Sequence, residues 1–382
     1  MIDQIERNAM KKVGVLTTHA SLNFGGMLQA YAIKESIRKI GHQCDIINYV
    51  PDMQNSKKNP IQFVTKRKGF VSKAMLAVAH YDAYRNRSER ISKFRSGYLS
   101  PQPEQSVGYA GLSEAVDRYD VVCTGSDQLW NLNLKDMENG AYMLNFPYEA
   151  KSIAYAISFG DGLLKKRPEI IENLDNIRKF SHISVREADG YEFLKEQGID
   201  SQITLDPTLL LDQQEWLKMA GQKPVINQPY IFLYGFDSAY QRVQDLVTAA
   251  RNLSAKMGIP VVNALMTPQL ARAGFLNVYR CGPREFLNLI RHSAYVCTNS
   301  FHATVFSYMF ERPFSVIQSP GMGTDGRKKT LLELFDLTDR FMFPDDDVDA
   351  DVLMDCSFKK MTDKLQERKE HSVNYLKNAI GD

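Results

Sequence analysis

The sequence predicts an α/β protein of two doubly wound domains facing a cleft. Three observations carry this reading: short apolar runs alternate with segments of helical periodicity, the alternation comes in two consecutive blocks, and a proline-broken stretch separates them. Length agrees, because 382 residues suit two domains at roughly 100–200 residues each.

The first block opens with Val13-Gly14-Val15-Leu16-Thr17-Thr18, an apolar run that reads as a buried strand. A turn over His19–Gly26 leads into a helix over Met27–Ile40, where Ala30, Ile33, Ile37 and Ile40 recur at three- and four-residue spacing. Gly41 stops this helix, and Cys44–Tyr49 reads as the next strand. Strand, helix and strand at this spacing imply a crossover and therefore a parallel pair. Further strands are expected at Asp120–Thr124, Ser152–Ile157 and His182–Val185, with a helix over Ala188–Gln197.

The second block repeats the pattern. Strands are expected at Tyr230–Tyr234, Ile259–Asn263, Ala294–Thr298 and Phe314–Ile317, with helices over Tyr240–Met257, Arg284–Arg291 and Ala303–Phe310. Pro207, Pro224 and Pro229 break the pattern near 205–225. The expected domains are therefore 1–205 and 206–358. A terminal helix over Lys359–Ala379, within 359–382, is free to cross back onto the first domain.

Composition removes several classes of function. The 47 Lys+Arg and 45 Asp+Glu leave a net charge of +2, which excludes a strongly basic nucleic-acid binder. A hydrophobic share of 44% with 24% charged residues excludes a largely disordered chain. No run of uninterrupted apolar residues approaches the length of a membrane-spanning helix. Cys44, Cys123, Cys281, Cys297 and Cys356 form no C-x-x-C pair, so neither a zinc site nor a disulfide framework is expected. No metal-ligand spacing appears, which leaves a metal requirement open. The Val13–Leu16 stretch is too short for a signal peptide, and a reducing, cytosolic compartment is expected.

The near-neutral total hides a basic stretch. Residues 57–95 carry eleven Lys or Arg against Asp82 and Glu89. Two readings are open: a solvated helical face over an apolar stripe, or a basic surface for anionic lipid or a pyrophosphate-linked substrate at the inner face of a membrane.

Four segments have the composition of sites. Thr298-Asn299-Ser300-Phe301-His302-Ala303-Thr304 joins a strand to a helix, so His302 falls in a first helical turn at the carboxyl end of a sheet. Free backbone N–H groups there favour an anion, and histidine adds a charged hydrogen bond or a proton. Helix capping without further function is the alternative. Thr124-Gly125-Ser126-Asp127-Gln128-Leu129-Trp130-Asn131 packs polar groups beside an aromatic ring after a buried strand. That pattern suits saccharide recognition, although a capped helix start explains Ser126 and Asp127 equally well. In Ser184-Val185-Arg186-Glu187 an arginine directly follows a strand; arginine suits bidentate carboxylate or phosphate recognition, and an ordinary surface arginine is the alternative. Gly321-Met322-Gly323-Thr324-Asp325-Gly326 matches a dinucleotide fingerprint, but no later strand is evident. It reads instead as a loop presenting Arg327, Lys328 and Lys329 to the cleft.

Taken in order, these segments resemble the polysaccharide pyruvyl transferase family. The matching pieces are Gly14–Thr17 with Asn23–Ala32, Gly125–Asn131, Ala154–Gly160, Ser184–Glu187, Leu205–Leu210 and Thr298–Phe306. The resemblance implies two Rossmann-like domains in a GT-B-like arrangement, the first on the acceptor side and the second on the donor side. It implies transfer of the enolpyruvyl unit of phosphoenolpyruvate to a saccharide as a ketal, with release of phosphate and no cofactor besides the donor substrate. Arg186 then matches a donor-binding arginine and His302 the donor-site histidine. Ser300 stands where well-studied members carry an arginine, so Arg327 or Lys329 is expected to supply that charge. Asp127 is expected as the acceptor-side base or sugar ligand, beside Gln128, Trp130 and Asn131. Asn23, Gly25 and Gly26 are expected to shape the opposite wall. Two alternatives accompany this reading: a glycosyltransferase with a nucleotide-sugar donor, and an inactive glycan-binding homologue. The acceptor is a saccharide in each case, with or without a lipid carrier, and no nucleic acid is involved.

Overall fold

The computed structural model describes residues 9–20, 23–51, 81–132, 134, 137, 140–160, 168–237, 242–265, 267–271, 273–356, 358 and 362–381. Two parallel sheets organise them. The first contains β1 (Lys12–Leu16), β2 (Gln43–Tyr49), β3 (Gln102–Val107), β4 (Val121–Asp127), β5 (Lys151–Ile157), β6 (His182–Val185) and β7 (Gln202–Ile203), in the order β3-β2-β1-β4-β5-β6-β7. The second contains β8 (Ile231–Tyr234), β9 (Val261–Asn263), β10 (Leu276–Asn277), β11 (Tyr295–Thr298), β12 (Phe314–Ile317) and β13 (Phe341–Met342), in the order β10-β9-β8-β11-β12-β13. Both are doubly wound, and the winding reverses between β1 and β4 and between β8 and β11. Crevices that take ligands form at such points, beyond the carboxyl ends of the strands.

Central strands are buried on both faces, which explains their unbroken apolar runs. The edge strands differ. β3 reads Gln-Pro-Glu-Gln-Ser-Val and is largely exposed, while β7, β10 and β13 have two residues each. None carries a periodic signal, and sequence reading misses all four. β13 also corrects the expectation that no strand follows the Gly321–Gly326 loop.

Helix α1 (Phe24–Lys39) begins three residues earlier than its apolar spacing suggests. Asn23 caps it by accepting from the Gly25 N–H at 3.0 Å. The other long helices are α2 (Tyr81–Phe94), α3 (Ala188–Glu196), α4 (Gln213–Ala220), α5 (Val243–Met257), α6 (Pro283–Arg291), α7 (Phe301–Met309), α8 (Gly326–Leu334) and α9 (Thr362–Gly381). α9 lies against the first sheet: the Tyr375 hydroxyl donates to the Ala154 carbonyl at 3.0 Å, and Ser372 Oγ accepts from Leu205 N–H at 2.9 Å.

One hydrophobic core runs through both sheets. It joins Val13, Phe24 and Ile33 to Tyr230, Phe232 and Phe286. The Phe24 ring lies 5.7 Å from that of Phe286 and 6.1 Å from that of Tyr234. A second cluster fills the other face of the first sheet, with Leu16, Trp130, Phe159 and Phe180. Cys44, Cys123, Cys281 and Cys297 are buried free thiols.

Residues 57–80 of the basic stretch lie outside the described residues. In α2, Arg87 is buried, its guanidinium 4.4 Å over the Phe24 ring and donating to the Ala264 carbonyl at 2.8 Å. Arg90 pairs with Glu285, and Asp82 with Arg280. Arg87 and Arg90 are thus seam contacts to the second sheet's half of the chain, Arg87 buried and Arg90 half-exposed but neutralised by Glu285. Among the described residues, no helix is long and apolar enough to cross a membrane.

Candidate active site

The strand ends of the two sheets converge on Asp206. This residue follows β7 and starts a one-turn helix, where its Oδ1 accepts from Thr208 N–H (3.0 Å) and Oγ1 (2.6 Å). That leaves Oδ2 for the cleft. Arg186, one residue beyond β6, donates from Nη1 to Oδ2 at 2.6 Å, and Ser126 Oγ on β4 lies 3.2 Å away. His302, in the first turn of α7, brings Nε2 to 3.6 Å from the same oxygen, an ion-pair distance. Four segments separated by up to 176 residues meet at one carboxylate.

Arg186 has a second anion. Its Nη2 donates to Asp127 Oδ1 at 2.9 Å, and its guanidinium stacks 4.5 Å over the Phe301 ring. Its side chain is 1% exposed, against 14% for Asp127 and 0% for Asp206. Asp127 sits at φ +86°, a conformation uncommon for a non-glycine residue, as functional sites often hold. Burial works to raise the pKa of both aspartates. For Asp206 the neighbouring His302, Arg186 and Thr208 outweigh it, and for Asp127 the charges of Arg186, His302 and Arg327 do, so both stay below the usual carboxylate range. Burial would lower the pKa of Arg186, but Asp127 and Asp206 raise it overall.

Glu187 behaves differently. It is buried next to Arg186, with Oε1 accepting from Phe159 N–H at 2.8 Å and Oε2 without a hydrogen-bond partner. Burial pushes its pKa up to about 7, the nearby Arg186 and Arg327 offsetting only part of that effect.

The second sheet supplies the other wall. Ser300 caps α7, its Oγ accepting from Ala303 N–H at 3.5 Å. Its hydroxyl therefore serves the helix start. Asp325 caps α8 and chelates Arg327, with Nε to Oδ1 at 2.8 Å and Nη2 to Oδ2 at 2.5 Å. The Arg327 guanidinium also reaches across to the Gln128 amide, which packs on Asn131. Gly160, at φ +89°, leaves room for that pair, since a Cβ there would overlap the Asn131 amide. Lys328 is buried and donates from Nζ to the Asn299 carbonyl at 2.8 Å. Burial lowers its pKa to about 8, against the raising effect of Asp325.

Arg186, Asp127, His302, Arg327, Gln128 and Asn131 are thus brought together, and Gly25, in the first turn of α1 capped by Asn23, lies against the His302 ring; Gly26 is the next residue of that buried turn. Two expected site residues are placed elsewhere. Trp130 is fully buried between Phe159 and Phe180, its Nε1 donating to the Tyr142 carbonyl at 3.1 Å, so it offers no platform to a sugar. Lys329 turns outward toward Glu333 at 3.8 Å, and its neighbour Lys328 takes the inward position. Residues without an expected role also enter the site. Asp206 is its hub, and the Asp-Pro-Thr pattern after a strand was the available signal, because it builds such a side-chain-capped turn. Gln29 ties β1 to β4, donating to Thr17 Oγ1 at 2.8 Å and accepting from Ser126 N–H at 3.1 Å. Among the described residues no group of His, Cys, Asp and Glu could hold a metal ion.

The family model for polysaccharide pyruvyl transferase matches residues 23–319, a span that includes every cleft residue above except Asp325, Arg327 and Lys328. The chain belongs to the polysaccharide pyruvyl transferase family. Membership implies a transferase with a saccharide acceptor. Comparison with curated protein sequences finds no match. Among solved structures, the chain is similar to one named for a UDP-N-acetylglucosamine 2-epimerase of Listeria monocytogenes, at 12% identity and TM-score 0.54, over 96% of this chain and 90% of that one. It is also similar to the S. aureus MnaA–UDP co-structure, at 10% identity and TM-score 0.51, over 98% and 93% of the two chains. At such identities the likeness shows the fold: this pyruvyl transferase family member has the GT-B-like arrangement of two parallel sheets.

Proposed function

We propose that this transferase moves the enolpyruvyl unit of phosphoenolpyruvate onto two hydroxyls of a saccharide, forming a pyruvate ketal and releasing phosphate. The observation that carries this reading is the carboxylate of Asp127 lodged on buried Arg186, whose other partner, Asp206, lies 3.6 Å from the His302 imidazole. Asp127 stands where a donor carboxylate would bind. Because Asp127 is the more exposed of the two partners, it is the one a donor can replace, while Asp206 keeps the guanidinium in place.

The chemistry follows from that exchange. Arg186 holds the donor carboxylate by paired hydrogen bonds. Asp127, released toward the acceptor, takes a proton from a sugar hydroxyl. The donor phosphate meets the first turn of α7 and Arg327. His302 carries protons at Nε2, which has no hydrogen-bond partner in the structure. Two C–O bonds form at the donor's central carbon, while its C=C π bond and its C–O bond to phosphate break. One hydroxyl proton ends on the methylene carbon and the other leaves with phosphate. The donor is a substrate, and the scheme uses no cofactor.

Phosphate release from phosphoenolpyruvate, measured over a panel of β-hexosides and lipid-linked saccharides, tests the reading. Release should require an acceptor and disappear in His302→Ala. Thermal stabilisation by nucleotide sugars but not by phosphoenolpyruvate, without phosphate release, would instead indicate a glycosyltransferase.

A further inference from the structure

The start of α7 is braced from behind by a buried ammonium group. Asn299, the residue after β11, spans the point where the second sheet reverses its winding. Its Oδ1 accepts from Phe236 N–H and its Nδ2 donates to the Phe236 carbonyl, each at 2.8 Å. Gly235 leaves room for this amide, since a Cβ there would overlap Asn299 Oδ1. The Asn299 carbonyl accepts in turn from Lys328 Nζ at 2.8 Å, and the next residue, Ser300, caps α7. Lys328 lies in the first turn of α8, which is itself held to α3 where Ala188 N–H donates to Thr330 Oγ1 at 3.2 Å. One side chain therefore ties together the starts of α7 and α8.

The buried charges around it do not balance. Asp325 Oδ2 lies 3.6 Å from Lys328 Nζ but is already chelated to Arg327. The side chains of Lys328 and Asp325 are 0% and 6% exposed, so two cations share one buried carboxylate. The other titratable groups on the packed elements are His302 of α7 and Asp189 of α3, an exposed residue whose carboxylate lies against Gly326. His302 Nε2, in the same turn of α7, is buried without a hydrogen-bond partner. A desolvated positive excess is costly unless an anion arrives.

We propose that Lys328 is the positioning residue of the donor-phosphate pocket: through the Asn299 carbonyl it fixes the first turn of α7, and its charge draws the phosphate there. The word donor rests on the transferase reading above; the phosphate pocket does not. Burial holds the Lys328 pKa down to about 8, and a phosphate bound nearby favours the charged form. A neutral amine still donates to the Asn299 carbonyl, so deprotonation removes the charge and spares the brace.

Calorimetric titration of the full chain with phosphoenolpyruvate, inorganic phosphate and pyruvate tests the role. Wild-type affinity for phosphoenolpyruvate should fall several-fold as pH rises from about 7.5 to about 9.5, where the phosphate itself is fully ionised. Binding near pH 8 should take up protons, read from the dependence of the heat on the buffer. Lys328→Gln, which keeps an N–H donor, should bind both phosphate probes about tenfold more weakly at pH 7.5, with a flat pH profile and no proton uptake. Pyruvate, a carboxylate without phosphate, should bind both proteins alike. No phosphate binding by the wild type overturns the proposal, as does a wild-type affinity unchanged through pH 8. Equal phosphate binding by the wild type and a folded Lys328→Gln does the same. If the variant does not fold, the wild-type pH profile decides alone. Failure of phosphoenolpyruvate turnover would remove the transferase reading and leave a Lys328-dependent phosphate titration standing.

Discussion

Gly25 and His302 meet across the cleft: a methyl group on Gly25 would overlap the Nδ1, Cγ and Cβ atoms of the imidazole side chain. The first turn of α1 thus sets the position of a ring that belongs to the second sheet. In Gly25→Ala the helix itself loses nothing, because alanine favours helix over glycine by about 1 kcal/mol. The imidazole must move instead. Turnover should fall by at least about tenfold, since misplacing a reacting group by 1 Å can cost about a hundredfold. The melting temperature should shift by only a few degrees, as overpacking by one methyl group costs about 1–3 kcal/mol. Phosphate release and thermal unfolding measured on the same preparation check both halves.

Trp130 should behave as a core residue. Trp130→Ala is expected to cost about 3–5 kcal/mol, read as a lower urea midpoint. Trp130→Phe should cost less and leave the acceptor KM unchanged. A raised acceptor KM at unchanged stability would return the ring to a sugar-binding role.

Arg327 and Lys329 separate by direction. Arg327→Ala should raise the KM for phosphoenolpyruvate by about tenfold, the scale of a lost charge-assisted hydrogen bond. Lys329→Ala, which removes an exposed lysine from a long-range pair with Glu333, should stay within about twofold of wild type. Steady-state kinetics with varied donor distinguish them.

Glu187 predicts a pH dependence of stability. Its folded pKa of about 7 lies above the ordinary carboxyl value, so between pH 4.5 and 7 the folded state binds more protons than the unfolded one. Its contribution to stability therefore declines as pH rises through this window. Asp206 has the opposite sign: its pKa is depressed, and its contribution is lost only as pH falls below the usual aspartate range. Glu187→Gln keeps the acceptor for Phe159 N–H and removes the titration. Urea unfolding should show this variant gaining on the wild type, by on the order of 2 kcal/mol, between pH 5 and pH 8.

Much of the architecture was legible because parallel central strands are apolar on both faces, as in Val13–Leu16 and Tyr295–Thr298. Edge strands such as Phe341–Met342 were not, since two residues carry no period. Each of Asp127, Arg186 and His302 was marked by its place after a strand. Their junction at Asp206 was hidden, because contacts to Arg186, Ser126 and His302, which lie 20, 80 and 96 residues away on other elements, leave no trace in local spacing. Side-chain direction was the other blind spot. Lys328 and Lys329 are neighbours on one helix, and the turn of that helix sends one inward and the other to solvent.

The Phe24, Tyr234 and Phe286 rings, with Arg87 laid over Phe24, have a consequence for how the chain can be altered. Each half lends the other part of its interior. A half-chain cut between β7 and β8 would leave Phe24 or Phe286 facing water, and it should aggregate rather than fold. Exchanging whole halves between relatives would succeed only where both sides of this aromatic seam are matched. New substrate preferences are more readily reached through the loops at the strand ends, which can change without disturbing the shared interior.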